Sequence, residues 1–371
     1  MAEEKATSEE IKAVEEAATT EAAPEEEAAS EQKSIFDIIC DNIEDGHLAE
    51  SFSLSNYIDD VVGTVDGYKI RMADGAMDGI CIYHVASQRL PKENVEVLIS
   101  AFEAVCDGDY DTADEVLEKM LSEHSAIYLI DQIQEAAIDV AKRIGAKEVF
   151  RYAILRTVGS TNPEMVKFGL SICELMGDLP EDLKDMVRIL ALCDEFTIFC
   201  AWNARNWENA NDELFEMARE AKGWGRIHVI KMLEPETEEI REWLLYEGVN
   251  NGVMPEYTGM TCYEKADVAK RLEREMGHDE FSAITAIVSA CLCVEPVCGF
   301  PCLNDPKSEV VRYVKQASRQ TLDRADCRCL ETIAGYAKQM GWEDVVSECD
   351  ALLESDAARA LTADEEGANG D

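Results

Sequence analysis

Residues 163–176, PEMVKFGLSICELM, form an almost wholly apolar stretch that decides the fold class. Its polar side chains fall at Glu164, Lys167, Ser171 and Glu174, three or four residues apart, so they form one stripe along a helix. The remaining surface of such a helix is apolar. It must therefore be covered on several sides by other parts of the chain.

Helical periodicity recurs through most of the chain after Pro91. Apolar residues follow helical spacing in Ala113–Leu121, Val310–Ala317 and Val345–Leu353. Five prolines each precede an amphipathic run with acidic residues in its first turn: Pro91, Pro163, Pro180, Pro235 and Pro306. Proline and carboxylates both favour a helix start. We predict roughly a dozen or more helices of about 10 to 18 residues.

This order of short helices predicts an all-α fold of stacked helix pairs, like a HEAT-type α-solenoid. No strict sequence period is present, so an irregular all-α globule of one or two lobes stays open as the alternative. One region differs in texture. Alternating residues 68–72, glycine-rich residues 73–79 and apolar residues 80–85 predict a short β-hairpin or a glycine-rich loop near the N-terminus.

Charge and composition divide the chain into four parts. Residues 1–33 contain eleven Glu, three Lys and no aromatic residue, and we predict a disordered acidic tail because little there can be buried. A second disordered acidic tail is predicted at 355–371. Between the tails we expect an N-terminal segment with the hairpin at 34–90 and a helical-repeat body at 91–354.

The net charge excludes whole classes of partner. The 371 residues include 77 acidic and 34 basic ones, for a net charge of −43, while 47% of positions are hydrophobic. Nucleic acid and anionic membrane surfaces would be repelled. The longest uncharged apolar run, Phe281–Val294, is fourteen residues long, short of the roughly 20 that span a bilayer. We expect a cytoplasmic protein, since no secretory signal is visible, with fourteen reduced cysteines.

Two stretches resemble a known family. They are Ala73-Asp74-Gly75-Ala76-Met77-Asp78-Gly79-Ile80 with Tyr83-His84, and Gly223-Trp224-Gly225-Arg226-Ile227-His228 leading into Thr237-Glu238-Glu239-Ile240-Arg241-Glu242-Trp243-Leu244-Leu245. They are similar to bacterial helical-repeat proteins, some of which are labelled limonene hydroxylase, over most of residues 60–350. The resemblance implies oxidation of limonene to perillyl alcohol and carveol, and further oxidation of those alcohols. It assigns no catalytic residue.

Hydroxylation would require a redox cofactor and NAD(P)H, since side chains alone cannot activate oxygen. Cys298-Gly299 is the nearest approach to a haem-ligating cysteine loop and does not match it. No GxGxxG motif follows a strand, so no flavin or nicotinamide site is indicated. The cofactor and its binding residues stay unknown at this point.

Two sequence patterns could supply metal ligands, and no metal is predicted from either. Glu-x-x-His pairs occur at Glu44 with His47 and at Glu275 with His278, but a glycine before each histidine indicates a helix end. Six cysteines lie close in sequence: Cys291, Cys293, Cys298, Cys302, Cys327 and Cys329. On a helix, i and i+2 side chains point about 200° apart, which favours buried thiols over metal ligands. The turn from Cys298 to Cys302 is the exception, because Pro301 frees both thiols to converge.

Aromatic and histidine residues give no catalytic assignment. Four tryptophans could line a pocket or join adjacent repeats: Trp202, Trp207, Trp224 and Trp243. The five histidines, His47, His84, His124, His228 and His278, adjoin no nucleophile motif. Catalytic residues therefore stay unknown.

The favoured hypothesis is an interaction module that presents an acidic surface to a protein partner with a basic patch. The first alternative is a monooxygenase acting on a small apolar terpene, implied by the resemblance alone. The second is a cysteine-rich metal-binding or redox-sensing module.

Overall fold

The computed structural model describes residues 33–58, 63–65, 68–85 and 91–355. Both predicted acidic tails lie outside the described residues, except for Lys33 and Ser355. Within the described ranges the chain forms eighteen α-helices and two small antiparallel sheets of two strands each. The predicted all-α fold with a short N-terminal hairpin is therefore confirmed.

The contacts divide the chain into two compact units, the first ending at Met232 and the second beginning at Leu233. The helices of the first unit are α1 Ile35–Asp41, α2 Ala76–His84, α3 Lys92–Cys106, α4 Tyr110–Glu123, α5 Ala126–Arg143, α6 Lys147–Gly159, α7 Pro163–Cys173, α8 Glu181–Ala191, α9 Thr197–Ala204, α10 Ala210–Glu220 and α11 Gly223–Met232. Those of the second unit are α12 Glu238–Tyr246, α13 Glu256–Lys265, α14 Val268–Arg271, α15 His278–Cys291, α16 Pro306–Ala317, α17 Arg324–Met340 and α18 Glu343–Leu353.

Alternate helices stack within each unit. In the first unit α3 contacts α5, α5 contacts α7, α7 contacts α9 and α9 contacts α11, while helices adjacent in sequence pack beside this row. In the second unit α13 contacts α15 and α15 contacts α17. Each unit therefore has the stacked-helix arrangement that the spacing of the helices predicts.

Helix α7 lies at the centre of the first unit. The side chain of Asn162 accepts a hydrogen bond from the backbone N–H of Glu164, 2.9 Å away, and Pro163 occupies the first helical position. Every residue from Met165 to Cys173 is buried, against α4, α5, α6 and α9. The prediction that this helix is covered on several sides is confirmed.

Proline marks the predicted helix starts. Pro163 and Pro306 occupy the first positions of α7 and α16, and Asp305 caps α16 by accepting from the N–H of Ser308 at 3.2 Å. Pro91 and Pro180 directly precede α3 and α8. Pro235 lies two residues before Thr237, which caps α12.

The N-terminal segment contains two hairpins. β1 Ile43–Glu44 pairs with β2 His47–Leu48, and β3 Gly63–Val65 pairs with β4 Tyr68–Ile70. The expected hairpin or loop over residues 68–85 is therefore wrong in its second half, where residues 76–84 form helix α2. Ala76, Asp78, Gly79 and Cys81 are buried around this segment, which contacts α5 and α11, and this cover on more than one side favours the helix there.

None of the helices in the described part of the chain combines the length and apolar character needed to cross a membrane.

Candidate functional site

The two stretches that carry the family resemblance meet in the first unit. Residues 76–84 form α2, residues 223–232 form α11, and the two helices contact each other. A Cβ atom added at Gly79 would lie 2.1 Å from a ring carbon of Trp224, so the indole occupies the space that only glycine leaves free. This close approach locks α2 onto α11.

The rings of Tyr83, Trp224 and His228 pack together where α2 meets α11. The ring centroid of Tyr83 lies 6.2 Å from that of Trp224 and 5.6 Å from that of His228. The hydroxyl of Tyr83 and Nδ1 of His228 are 3.3 Å apart. Burial, with a smaller effect from Lys231, lowers the pKa of His228 to about 3, so this imidazole is neutral at physiological pH.

Beside this stack lies a buried ion cluster, which we call the Lys167 centre: Lys167, Asp78, Glu164 and Glu195. Nζ of Lys167 lies 2.8 Å from Asp78 Oδ2, 3.0 Å from Glu164 Oε1 and 2.5 Å from Glu195 Oε1. The side chains of Lys167 and Asp78 are each 1% exposed. A lysine on a helix interior is thus surrounded by three carboxylates from three separate parts of the first unit.

The carboxylates of the Lys167 centre also bind backbone. Oε2 of Glu195, in the turn between α8 and α9, accepts from the N–H of Gly75 at 2.6 Å. Oε2 of Glu164 accepts from the N–H of Ala126 at 2.5 Å and from the hydroxyl of Ser125 at 2.9 Å, at the start of α5. The centre therefore joins α2, α5, α7 and the α8–α9 turn.

The charge states follow from this packing. Burial alone would lower the pKa of Lys167, but the three carboxylates outweigh it and raise that pKa well above its usual value. Burial raises the pKa of Asp78 to about 6, against the lowering effect of Lys167. A protonated, enclosed lysine cannot act as a nucleophile. The Lys167 centre holds helices together. Within it, the carboxyl group of Asp78 changes its protonation state near pH 6.

The rest of the polar stripe, Ser171 on α7 and Glu174 directly after it, also makes contacts within the first unit. The hydroxyl of Ser171 donates to the carbonyl of Lys167 at 2.8 Å, and Oε2 of Glu174 accepts from Nε2 of Gln134 at 2.9 Å. Burial raises the pKa of Glu174. The sequence feature that indicates this burial is the almost wholly apolar surface of the helix. A helix that is covered on several sides leaves little of its polar stripe in contact with solvent.

The histidines of the two Glu-x-x-His pairs begin separate elements, β2 and α15. Glu44 and His47 face each other across the β1–β2 turn, and Nδ1 of His47 contacts Glu220 Oε2 at 2.5 Å. His278 begins α15, where its ligand atom lies within 4.8 Å of carboxylate oxygens of Asp323 and Asp326. Both aspartates cap α17 reciprocally, so their oxygens already accept backbone hydrogen bonds.

The cysteine predictions have mixed outcomes. Cys291, Cys327 and Cys329 are buried free thiols, as the helical spacing indicates. Cys298 and Cys302 are joined as a disulfide, with Cα atoms 5.9 Å apart, so the expectation of fourteen reduced cysteines is wrong for this pair. The physical reason is the 3₁₀ turn Phe300–Cys302, which brings the two side chains together.

The four tryptophans predicted to line a pocket or join repeats make different contacts. Trp224 joins α2 to α11, and Trp202 packs edge-on against Phe199 at 5.3 Å. The indole of Trp207 is buried, with Nζ of Lys184 5.3 Å from its ring centroid. Trp243 lies on α12 in the second unit. Of the two interpretations, packing between elements holds for Trp207 and Trp224.

An open groove lies between α8 and α10, which we call the acidic groove. Its volume is about 400 Å³, and its lining consists of Arg188, Ala191, Leu192, Asn209, Asp212, Glu213, Glu216, Met217 and Glu220. Four carboxylates and one guanidinium give this lining a net charge of −3. Arg188 is held by Glu213 through two hydrogen bonds of 3.0 and 2.6 Å. Three lining residues, Ala191, Leu192 and Met217, supply an apolar floor.

The carboxylates of the acidic groove follow one helical face. Asp212, Glu216 and Glu220 are spaced four residues apart on α10, so each lies one turn beyond the last. Glu216 contacts Arg219 at 3.1 Å, and Glu220 contacts His47. Asp212 and Glu216 are exposed and Glu220 is half-buried, so the three carboxylates are within reach of another cation.

Comparisons with known proteins do not assign either region: no protein-family model, curated protein or solved structure matches the chain. A functional assignment therefore rests on the chemistry of the Lys167 centre and of the acidic groove.

Proposed function

We propose that this protein is an interaction module that binds a basic segment of a partner protein in the acidic groove. The observation that carries the proposal is the combination of a carboxylate row with an apolar floor in one concave surface. The long stems of lysine and arginine bury along apolar surface while their charged ends stay polar. The acidic groove offers both environments to the same side chain.

The spacing of the row indicates the form of the partner. Carboxylates at positions 212, 216 and 220 rise about 6 Å at each step along a helix. A partner helix with lysine or arginine at every fourth position presents cations at the same interval. Charge-assisted hydrogen bonds to carboxylates are stronger than neutral ones and would fix the register.

Long-range charge supports the same proposal. The net charge of −43 would accelerate the encounter with a cationic protein and make it dependent on salt. The same charge disfavours nucleic acid and anionic membranes as partners. We place this activity in the cytoplasm, in keeping with the expectation from the sequence.

The test uses a fluorescently labelled helical peptide with lysine at every fourth position, and full-length protein. The groove variant Asp212→Asn/Glu216→Gln/Glu220→Gln removes three carboxylates. The control variant Asp111→Asn/Glu115→Gln/Glu118→Gln removes three exposed carboxylates from α4, so both variants have the same net charge. Fluorescence anisotropy should give an affinity at least tenfold lower for the groove variant and about twofold lower for the control.

Salt provides the second arm of this test. Affinity should fall as the salt concentration rises, because exposed charges are screened. Equal losses in both triple variants would show attraction to the whole acidic surface and overturn the assignment to the acidic groove. An affinity that does not change with salt would overturn the electrostatic mechanism itself.

A second candidate function is hydroxylation of limonene to perillyl alcohol and carveol, with further oxidation of these alcohols. One observation favours it: the two resembling stretches are far apart in sequence and meet at the contact of Gly79 with Trp224. The buried aromatic stack at this contact is chemically suited to an apolar ligand.

The residues weighed as ligands of an oxygen-activating cofactor do not fit one. The sulfur of Cys298 is bonded to that of Cys302, so it does not offer a thiolate to haem. His47 and His278 lie at the ends of separate elements in different units and engage acidic side chains. We therefore assign no step of hydroxylation to residues of this chain.

This second proposal is tested by product analysis. Purified protein is incubated with limonene, NAD(P)H and candidate redox partners, and monoterpene alcohols are measured by gas chromatography. Alcohols formed only when the protein is present would support it. Equal amounts with and without the protein would overturn it.

A further inference from the structure

The turn between α15 and α16 contains the two most exposed cysteine residues of the chain. All fourteen cysteines lie in the described residues, and twelve are free thiols that are buried or half-buried. Cys298 and Cys302 are instead both exposed, and they are the two that are joined. The chemistry of thiol exchange requires access to a sulfur atom, so this pair is set apart from the other twelve.

The surroundings of the free thiols make them less reactive than the Cys298–Cys302 pair. Burial raises the pKa of Cys291, Cys329 and Cys349, which keeps these thiols protonated and unreactive at physiological pH. The half-buried thiol of Cys293 contacts the carbonyls of Ala290 and Val297 at 3.2 and 3.3 Å. A soluble thiol reagent therefore has its open target at the paired sulfurs.

The paired cysteines bracket a core residue. Phe300 is fully buried, and its ring packs edge-on against Tyr263 of α13 with centroids 4.9 Å apart. The N–H of Gly299 donates to the carbonyl of Cys293 at 3.0 Å, and a Cβ atom at Gly299 would lie 2.1 Å from the carbonyl oxygen of Cys291. The closed turn thus holds Phe300 in the core of the second unit.

We propose that Cys298 and Cys302 form a reversible thiol–disulfide exchange site whose substrates are small thiols of the glutathione class. An attacking thiolate forms a mixed disulfide with one cysteine and releases the other as a thiolate, which takes up a proton. A second thiol attacks the mixed disulfide and frees the first cysteine. Two thiols lose two electrons and become one disulfide, and the protein pair gains two electrons and two protons.

Opening the pair changes how Phe300 is held. The disulfide spans only a five-residue turn, and exposed disulfides belong to the class that small thiols reduce most readily. Once reduced, the turn is held by the Gly299 contact and the Phe300 packing without a covalent link. The connection between α15 and α16 therefore becomes more mobile in the reduced protein.

The test equilibrates full-length protein with buffers of reduced and oxidised glutathione at graded ratios. Thiols are then trapped with N-ethylmaleimide under denaturing conditions, counted by mass spectrometry and located by peptide mapping. The expected result is twelve modified cysteines under oxidising conditions and fourteen under reducing ones, the two added sites being Cys298 and Cys302. Fourteen modified cysteines at every ratio, or twelve at every ratio, would overturn the proposal.

Variants separate exchange from general thiol chemistry. The Cys298→Ser variant leaves Cys302 without its disulfide partner. Under oxidising conditions, Cys302 should then form a mixed disulfide with one glutathione in place of the internal disulfide. Cys293→Ser is the matched control in the same connection and should keep the two-thiol transition. Loss of the transition in Cys293→Ser would assign the exchange to a different pair.

Hydrogen exchange measures the structural consequence in the unmodified protein. Backbone amides of residues 294–305 should exchange severalfold faster after reduction, while amides of α7 in the first unit should not change. The Cys298→Ser/Cys302→Ser variant should exchange like the reduced protein under both conditions. Equal exchange rates for residues 294–305 in oxidised and reduced protein would overturn the proposed release of this turn.

Discussion

Helices α7 and α10 carry similar patterns of charged residues and use them in opposite ways. On α7, Glu164 and Lys167 are enclosed between helices and bind each other and the rest of the Lys167 centre. On α10, Asp212, Glu216 and Glu220 form one side of an open groove. Glu216 on α10 also pairs with Arg219 at the same three-residue spacing as Glu164 with Lys167, so the different roles of the two pairs are decided by what covers each helix.

The difference has a simple energetic basis. Buried charges must be paired, because an unpaired one carries a large desolvation cost. Exposed ion pairs contribute little to stability, since water and salt screen them. Charge on α7 should therefore affect folding, and charge on α10 should affect binding.

The largest effect should come from Lys167→Met. Removing the ammonium leaves Asp78, Glu164 and Glu195 facing one another in a buried space, at a cost of about 3 to 5 kcal/mol in the free energy of unfolding. Urea denaturation followed by circular dichroism measures this loss. The control is Lys119→Met on the exposed face of α4, and similar losses in the two variants would contradict the role of the Lys167 centre.

A smaller loss is expected from Gly79→Ala, which adds a methyl group where the indole of Trp224 lies 2.1 Å away. Overpacking of this kind costs about 1 to 3 kcal/mol. Gly159→Ala, at the end of α6, adds the same methyl group into open space and should change stability by less than about 1 kcal/mol. If the two variants had the same midpoint in urea, the α2–α11 contact would be looser than described.

The response to pH should sharpen the contrast. The folded-state pKa of Asp78 is raised from 3.8 to about 6. Its protonation therefore contributes stability that is fully present below pH 3.8 and is lost as the pH rises through about 6. Burial also raises the pKa of Asp194, to about 8. Its protonation therefore contributes to the free energy of unfolding with the same sign as that of Asp78.

Asp78→Asn removes the first of these two contributions. Between about pH 4.5 and 7, the free energy of unfolding should decrease less steeply in this variant than in the natural protein. Urea titrations at several pH values within this window measure the slope. Identical slopes would mean that Asp78 does not titrate in the folded protein.

The smallest effect on stability should come from Glu216→Gln. Its side chain is mostly exposed and pairs with the exposed Arg219, so the free energy of unfolding should change by no more than about 0.5 kcal/mol. Affinity for the lysine peptide should nevertheless fall by a measurable factor. A stability loss as large as that of Gly79→Ala would place Glu216 among the residues that hold the fold.

Much of the fold follows from local patterns in the sequence. Apolar spacing and the asparagine and proline at positions 162 and 163 predict α7, and Asp305 with Pro306 predicts the start of α16. These signals act within a few residues of where they occur. The stacking of alternate helices also follows, since short amphipathic helices must bury their apolar faces on one another.

The candidate sites depend on contacts between distant parts of the chain. Lys167 meets Asp78 and Glu195 only because α2 and the α8–α9 turn pack onto α7, which spacing along the sequence does not reveal. The helical state of α2 also depends on a distant contact, since its burial against α11 outweighs the unfavourable helix propensity of its glycine. The convergence of Cys298 and Cys302 was indicated by Pro301, because that signal is local.

The most direct test of the different roles of α7 and α10 compares two variants in two assays. The variants are Glu195→Gln at the Lys167 centre and Asp212→Asn/Glu216→Gln/Glu220→Gln at the acidic groove. The assays are the midpoint of urea denaturation and the affinity for the lysine peptide. We predict a lower midpoint with unchanged affinity for Glu195→Gln, and an unchanged midpoint with at least tenfold lower affinity for the groove variant. If each variant lowered both quantities to the same extent, the separation of roles between α7 and α10 would be contradicted.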